Sequence, residues 1–157
     1  MPDIVYMGTQ FTGTREITIM PEEDTCKKEY KLSKEKFINV CNKAWRRGFL
    51  NENKIVFPEH VIYEDVVFSF WGISRAKTFA IGDFIFNLYL SGRPGSVTTK
   101  KQLKQSKDTI ECIENLIKLK DIIEEEHIPF LLERIKEQQE RLGVRLERVI
   151  KDAFNEM

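Results

Sequence analysis

Two adjacent carboxylates, Glu64 and Asp65, lie between two apolar parts of the sequence. Pro58 and the β-branched residues around it predict an extended segment over 55–62, and a strongly apolar run follows the acids without a gap. Carboxylates in this position allow two interpretations. They stabilise the positive end of a helix that begins at residue 64, or one of them accepts a proton as a general base. The two residues alone leave both interpretations open.

A second group of polar residues, Arg93-Pro94-Gly95-Ser96, comes later in the same part of the chain. Proline at the second position and glycine at the third predict a type II turn. Such a turn presents backbone N–H groups and places Arg93 and Ser96 on either side of it. Arg93 is therefore a candidate binding residue, although an exposed turn residue explains it equally well.

The overall composition excludes several classes of protein. The 25 Lys and Arg residues balance the 25 Asp and Glu residues, so there is no global basic field to hold nucleic acid. No apolar run approaches the ~18 residues of a membrane span. Three widely separated cysteines, Cys26, Cys41 and Cys112, predict free thiols in a reducing compartment. We expect a cytoplasmic protein, with the inner face of a membrane as an alternative location.

The composition changes sharply near Thr98 and predicts two domains. Residues 1–97 are rich in aromatic residues, Gly and Pro, and their short segments predict a mixed α/β body. Residues 98–157 are dominated by Lys, Glu, Leu, Ile and Arg and predict a long-helix tail. The fold class expected for the whole chain is α/β, or α+β as an isolated piece, with a short mixed sheet and packed helices.

The strands of the body are predicted from short apolar runs that turn residues bound. They lie over 3–7, over 10–12 and 16–20 as a hairpin around Gly13-Thr14, and over 78–81 and 84–90 with a break at Gly82-Asp83. Two helices are predicted between them. One runs over 34–47, with Cys41 on its apolar face and Gly48 after its end, and the other runs from Glu64 to about Ala76. The second helix is apolar on nearly all faces, so it should be buried between layers.

The tail is predicted to contain two helices. Thr99 and Gln102 form a capping box for a helix that continues to about His127, where Pro129 interrupts it. The second helix carries a heptad-like apolar stripe up to Ala153. The two helices either fold back as a hairpin or continue with a kink. Their apolar stripe must be buried in that hairpin or against another chain, so a homodimer through 98–157 is one expectation.

The candidate residues belong to an ordered set of motifs that resembles a known family. The set resembles the second half of the inverting family 2 glycosyltransferases of the GT-A fold, which make bacterial cell-surface polysaccharides, and the likeness covers roughly residues 3–98. In order along the chain, the motifs are Asn42-Lys43-Ala44-Trp45-Arg46-Arg47, Phe57-Pro58-Glu59, Tyr63-Glu64-Asp65, Leu88-Tyr89 and Arg93-Pro94-Gly95-Ser96-Val97.

The resemblance implies a role for each candidate residue. Asp65 would be the general base that takes the proton from a hydroxyl of the saccharide acceptor, while that oxygen attacks the anomeric carbon of a nucleotide sugar. Glu64 would orient the acceptor or Asp65. The turn with Arg93 and Ser96 would face the donor diphosphate, since a guanidinium and turn amides bind phosphate oxygens. A helix N-terminus would keep Asp65 ionised, as a base must be.

The family's nucleotide-binding half has no counterpart in this sequence. That half carries paired aspartates for Mg²⁺ or Mn²⁺, whereas the acidic pair Glu23-Asp24 lacks the Asp-x-Asp spacing. The resemblance therefore implies the C-terminal piece of a longer enzyme, without a metal or cofactor of its own and inactive alone. The alternative is a non-enzymatic interaction module that oligomerises through its C-terminal helices.

Overall fold

The structure is a computed structural model that describes residues 1–14, 16–21, 40–95 and 103–155. These residues fold into a mixed sheet with helices packed against it, so the predicted α/β class is confirmed. The strands are β1 (Ile4–Gly13), β2 (Ile17–Ile19), β3 (Lys43–Trp45) and β4 (Phe79–Ser91). The α-helices are α1 (Arg47–Glu52), α2 (Glu64–Arg75), α3 (Leu103–Lys118) and α4 (Ile128–Asn155).

Strand β1 is the centre of the sheet. It pairs antiparallel with β2 through its second half and with β3 through its first half, and it pairs parallel with β4 along its whole length. Because a strand has two edges, β2 and β3 share one edge of β1 and β4 occupies the other. The register Phe11↔Ile17 confirms the hairpin that was predicted around Gly13-Thr14.

Two predicted strand breaks are wrong. Residues 3–7 and 10–12 were expected as separate strands, but β1 is continuous from Ile4 to Gly13. Likewise β4 does not break at Gly82-Asp83. The pairing steps there from Tyr6↔Ile81 to Gly8↔Ile85, so β4 contains extra residues opposite β1. A bulge absorbs such residues without ending the ladder, which is why turn-forming residues did not end the strand.

The predicted helix over 34–47 is wrong in its described part. Residues 34–39 lie outside the described residues. Val40–Asn42 form a 3-10 turn, Lys43–Trp45 form β3, and the helix begins only at Arg47. Strand β3 gains ladder bonds to the open edge of β1, and this long-range pairing overrides the helical spacing of its apolar residues. Cys41, expected in the core, is exposed.

Helix α2 is the buried helix that the sequence predicted. It begins at Glu64, and Ala76 closes it by donating its N–H to the carbonyl of Gly72. Its buried side chains come from several faces, as expected for a helix between layers. The ring of Phe68 stacks on Phe57 at 3.9 Å between centroids and meets Trp45 edge-on at 5.1 Å.

The tail is a helical hairpin, and the alternative of one kinked helix is excluded by the packing of α3 against α4. The predicted capping box at Thr99 and Gln102 lies outside the described residues. Helix α3 ends at Lys118, well before the predicted end at His127. Pro129 does not interrupt a helix but is the second residue of α4, where its missing N–H leaves no ladder bond unmade.

The body and the tail share one hydrophobic core. Its most deeply buried members come from β1, α2, α3 and α4, and they include Ile4, Phe70, Ile73, Leu116 and Leu131. Burial of such side chains is the main favourable contribution to folding. The hairpin therefore contributes to the stability of the sheet and α2. No helix in the described part of the chain is long and apolar enough to cross a membrane.

The carboxylate of Asp3 ties the ends of three segments together. It accepts hydrogen bonds from Nη2 of Arg46 at 2.9 Å and from the backbone N–H groups of Lys77 and Thr78 at 2.9 and 3.1 Å. Burial alone would raise the pKa of Asp3, but these hydrogen bonds outweigh burial and lower the pKa to about 2.

We predict that Asp3→Asn lowers the free energy of unfolding by about 2 kcal/mol at pH 7. The ordinary pKa of Asp is 3.8 and the folded value is about 2, so this stabilisation is present above pH 4 and is lost as the pH falls towards 2. Urea unfolding between pH 7 and pH 2 measures it. The exposed Asp83→Asn serves as the control. The same acid dependence in wild type and Asp3→Asn would contradict the prediction.

Candidate functional site

Tyr63, a residue with unusual backbone geometry, directly precedes the acidic pair. Glu64 and Asp65 are the first two residues of α2, and Tyr63 before them is the N-cap residue. Tyr63 has a φ of 76°, in the left-handed region that costs a non-glycine residue about 1–3 kcal/mol. Such a conformation persists only when surrounding contacts hold it. The site is therefore built on a strained turn that its neighbours must stabilise.

The pKa of Asp65 is raised to about 6. Burial is the largest cause, and the charge of Glu64 adds to it. The backbone N–H groups of Val66 and Asp65 and the charge of Lys43 act in the opposite direction. The amides of the helix N-terminus thus lower the pKa of Asp65 as predicted, but burial raises it by more. At pH 7 a carboxyl with this pKa is still roughly nine-tenths ionised.

Lys43 belongs to the site because its charge acts on Asp65. It lies on β3 and is buried, with Nζ 2.8 Å from Oδ1 of Asn42 and 5.1 Å from the centre of the Tyr6 ring. Its charge lowers the pKa of Asp65. Residues 34–47 were predicted as a helix, so the one sequence signal for Lys43 was its place in the motif Asn42-Lys43-Ala44-Trp45-Arg46-Arg47.

The helical hairpin also contacts the turn before α2. The guanidinium carbon of Arg145 lies 4.3 Å from the centre of the Tyr63 ring, and Nη1 of Arg145 donates to Oγ1 of Thr109 at 2.5 Å. The thiol of Cys112 faces the carbonyl oxygen of Tyr63 at 3.8 Å. Residues from α3 and α4 thus surround the residue that positions the acids. The sequence did not reveal these contacts, because they join segments far apart in the chain.

Cys112 itself is not a nucleophile. Burial raises the pKa of its thiol to about 12, and the nearby charge of Asp65 adds to that effect. The guanidinium groups of Arg141 and Arg145 lower the pKa by less. A thiol with such a high pKa stays protonated at neutral pH and does not form the reactive thiolate. Cys112 is a core residue, as its burial indicates.

The structure does not bring Arg93 to the acidic pair. Lys43, whose charge lowers the pKa of Asp65, pairs with Tyr6, whereas Ser91 pairs with Gly13 at the other end of β1. Seven residues of strand separate these rows by about 23 Å. Arg93 is exposed just beyond Ser91.

The turn that follows Arg93 has one of the features expected of it. Gly95 has a φ of 77°, which fits the third position of a type II turn. Ser96 lies outside the described residues. Binding of a diphosphate by Arg93 and Ser96 therefore stays a prediction.

The Mg²⁺ or Mn²⁺ that the resemblance implies for an intact enzyme does not fit the described residues around Asp65. In the described part of the chain, one group of three possible ligands was found, and it contains Glu124, Glu126 and His127 in the turn before α4. Asp65 and Glu64 belong to no such group among the described residues. No chemical step is therefore assigned to a metal here.

Comparisons with known proteins identify no family. No protein-family model matches the sequence, and no curated protein matches it. The likeness to family 2 glycosyltransferases therefore rests on the ordered motifs quoted above and stays a prediction. What the geometry provides is a half-buried carboxylate that is ionised at neutral pH and becomes protonated in mild acid.

The stability of Asp65→Asn distinguishes a structural acid from a functional one. The folded pKa of about 6 exceeds the ordinary 3.8, so the folded state loses stability as the pH rises from about 4 through 6. We predict that Asp65→Asn raises the free energy of unfolding at pH 7 by about 1–2 kcal/mol. Urea unfolding measures this, with the exposed Asp121→Asn as the control. A less stable Asp65→Asn would mean that Asp65 chiefly stabilises the start of α2.

Proposed function

We propose that this chain carries the acceptor side and the catalytic base of an inverting glycosyltransferase. The enzyme would move a sugar from a nucleotide-sugar donor to a saccharide acceptor, in the synthesis of a cell-surface polysaccharide. The observation that carries the proposal is Asp65, a half-buried carboxylate at the start of a buried helix with a pKa of about 6. A base is most effective when its pKa lies near the working pH, and this value meets that requirement.

The proposed chemistry requires one proton transfer to Asp65. A carboxylate oxygen of Asp65 accepts the proton of the acceptor hydroxyl, while the hydroxyl oxygen forms a bond to the anomeric carbon. The bond from that carbon to the donor phosphate breaks, and its electron pair leaves with the nucleoside diphosphate. Glu64 raises the pKa of Asp65 and so makes it a stronger base. Lys43 acts in the opposite direction and keeps Asp65 ionised at neutral pH.

The donor-binding part of such an enzyme would lie outside this chain. In the proposal, the nucleotide base and the diphosphate are bound by a preceding half of a longer chain, and this piece alone has no transferase activity. Arg93 and Ser96 have no part in the proposed proton transfer, because about 23 Å of strand separates the end of β4 from the row that contains Lys43. The enzyme would act in the cytoplasm, or at the inner face of the membrane where polysaccharide precursors are assembled.

A second candidate function is that of an interaction module. Apolar side chains of β4 are exposed, among them Leu88, which is 71 % exposed, and Phe86, which is 60 % exposed. Apolar residues of α4, including Ile150 and Phe154, are exposed as well. Contiguous exposed apolar surface often marks a contact with another protein. A homodimer through 98–157 would use the hairpin surface, and sedimentation of the 157-residue chain tests for it.

We predict that Asp65→Asn lowers kcat of the longer enzyme by roughly 10²–10⁴-fold and leaves donor affinity unchanged, because the amide cannot accept the acceptor proton. Wild-type kcat/KM should fall below about pH 6, since protonated Asp65 is no base. Steady-state kinetics with a nucleotide sugar and a saccharide acceptor measure both. Asp83→Asn, an exposed carboxylate on β4, is the matched control. Full turnover by Asp65→Asn would remove Asp65 from the role of base.

A further inference from the structure

Arg145 occupies a position that neither the core nor the proposed chemistry explains. It lies in the second half of α4 and is half-buried. Its guanidinium bridges two elements, because it covers the Tyr63 ring at 4.3 Å and donates to Oγ1 of Thr109 on α3 at 2.5 Å. Thr109 is itself fully buried and donates its hydroxyl to the carbonyl of Gln105 at 2.6 Å. Two contacts therefore fix the guanidinium: the Tyr63 ring and the Thr109 hydroxyl.

The residue beneath Arg145 is the strained one. Tyr63 needs contacts that hold its left-handed backbone, and the guanidinium over its ring is such a contact. The carbonyl of Tyr63 accepts the N–H of Val66 at 3.2 Å, which is the first hydrogen bond of α2. A shift of the Tyr63 carbonyl therefore acts directly on the turn of helix that carries Glu64 and Asp65.

The charged groups around this turn come from both helices of the hairpin. Tyr63 is partly buried, and burial is the main reason why its pKa is raised. Arg141 and Arg145 of α4 and Asp108 of α3 are among the charged groups that act on Tyr63. Oδ2 of Asp108 also accepts the N–H of Ile62 at 3.3 Å. Helix α3 therefore binds the loop before Tyr63, and helix α4 contacts the Tyr63 ring.

We propose that Arg145 is a positioning residue for the acidic pair, which it holds through the Tyr63 ring and Thr109. The helical hairpin is then part of the site and not an appendage to it. The positioning is a property of the fold, and only its consequence for turnover rests on the proposed function. In this proposal, the guanidinium over the ring prevents Tyr63 from relaxing to an ordinary backbone conformation, in which the first turn of α2 would open.

The test compares Arg145→Met with Arg145→Lys and with Arg148→Met in the 157-residue chain. Arg148 is exposed on the next turn of the same helix, so its substitution removes the same charge without touching Tyr63. We expect Arg145→Met to speed amide hydrogen exchange of Val66 by about ten-fold, as the loss of a partly buried cation–π contact implies. In the same variant, the pKa of Asp65, measured by carbon-13 NMR, should lie nearer to the ordinary value of 3.8. Arg145→Lys should restore part of both, and Arg148→Met should change neither.

A purely structural role for Arg145 has a different signature. Arg145→Met would then lower the urea midpoint while Val66 exchange and Asp65 titration matched those of Arg148→Met, and the proposal would be overturned. If Arg145→Met does not fold, Thr109→Val removes the partner of the guanidinium instead, and unchanged Val66 exchange in that variant also overturns the proposal. Neither readout uses turnover. If Asp65→Asn kept full turnover, the proposed function would fail but the result for Arg145 would stand. If instead the Arg145 variants contradicted the positioning role, the role of Asp65 as a base would be unaffected.

Discussion

The burial of the Asp65 carboxylate at the first turn of α2 is the interaction around which the site is arranged. Burial disfavours the charged form, and the neighbouring Glu64 disfavours it further. Lys43 on one side, and the amides of the helix start, offset part of that cost. The strained residue Tyr63 fixes the direction of the turn, and the hairpin surrounds it. The core shared by body and hairpin supplies the stability that such an unfavourable arrangement requires.

Two aspartates show how the same side chain serves opposite purposes in one small fold. Asp3 accepts hydrogen bonds from Arg46, Lys77 and Thr78, its pKa is low, and its charge stabilises the folded state. Asp65 has few such partners and a raised pKa, so its charge opposes folding at neutral pH. Groups whose ionisation is unfavourable for the fold are typical of functional sites, because chemistry requires a proton to move near neutral pH.

Local sequence signals predicted the elements that local interactions determine. The hairpin of β1 and β2 and the limits of α2 follow from turn residues and from acids placed before an apolar run. Long-range contacts explain the failures: β3 replaced a predicted helix because β1 offers it an edge, and the bulge at Gly82-Asp83 depends on the partner strand. In the site, Glu64 and Asp65 were found from their types and spacing. Lys43 and Arg145 were not, since each acts across contacts that only the folded chain brings together.

The titration of the Asp65 carboxyl in the wild-type chain tests the central claim most directly. Carbon-13 NMR of labelled aspartate follows each carboxyl separately between pH 2 and pH 8. A midpoint near pH 6 for Asp65, with Asp3 near pH 2 in the same sample, is the result that this structure predicts. A midpoint for Asp65 at or below the ordinary value of 3.8 would contradict the claim. Asp65 would then be a stabilising acid at a helix N-terminus and not a base held ready for proton transfer.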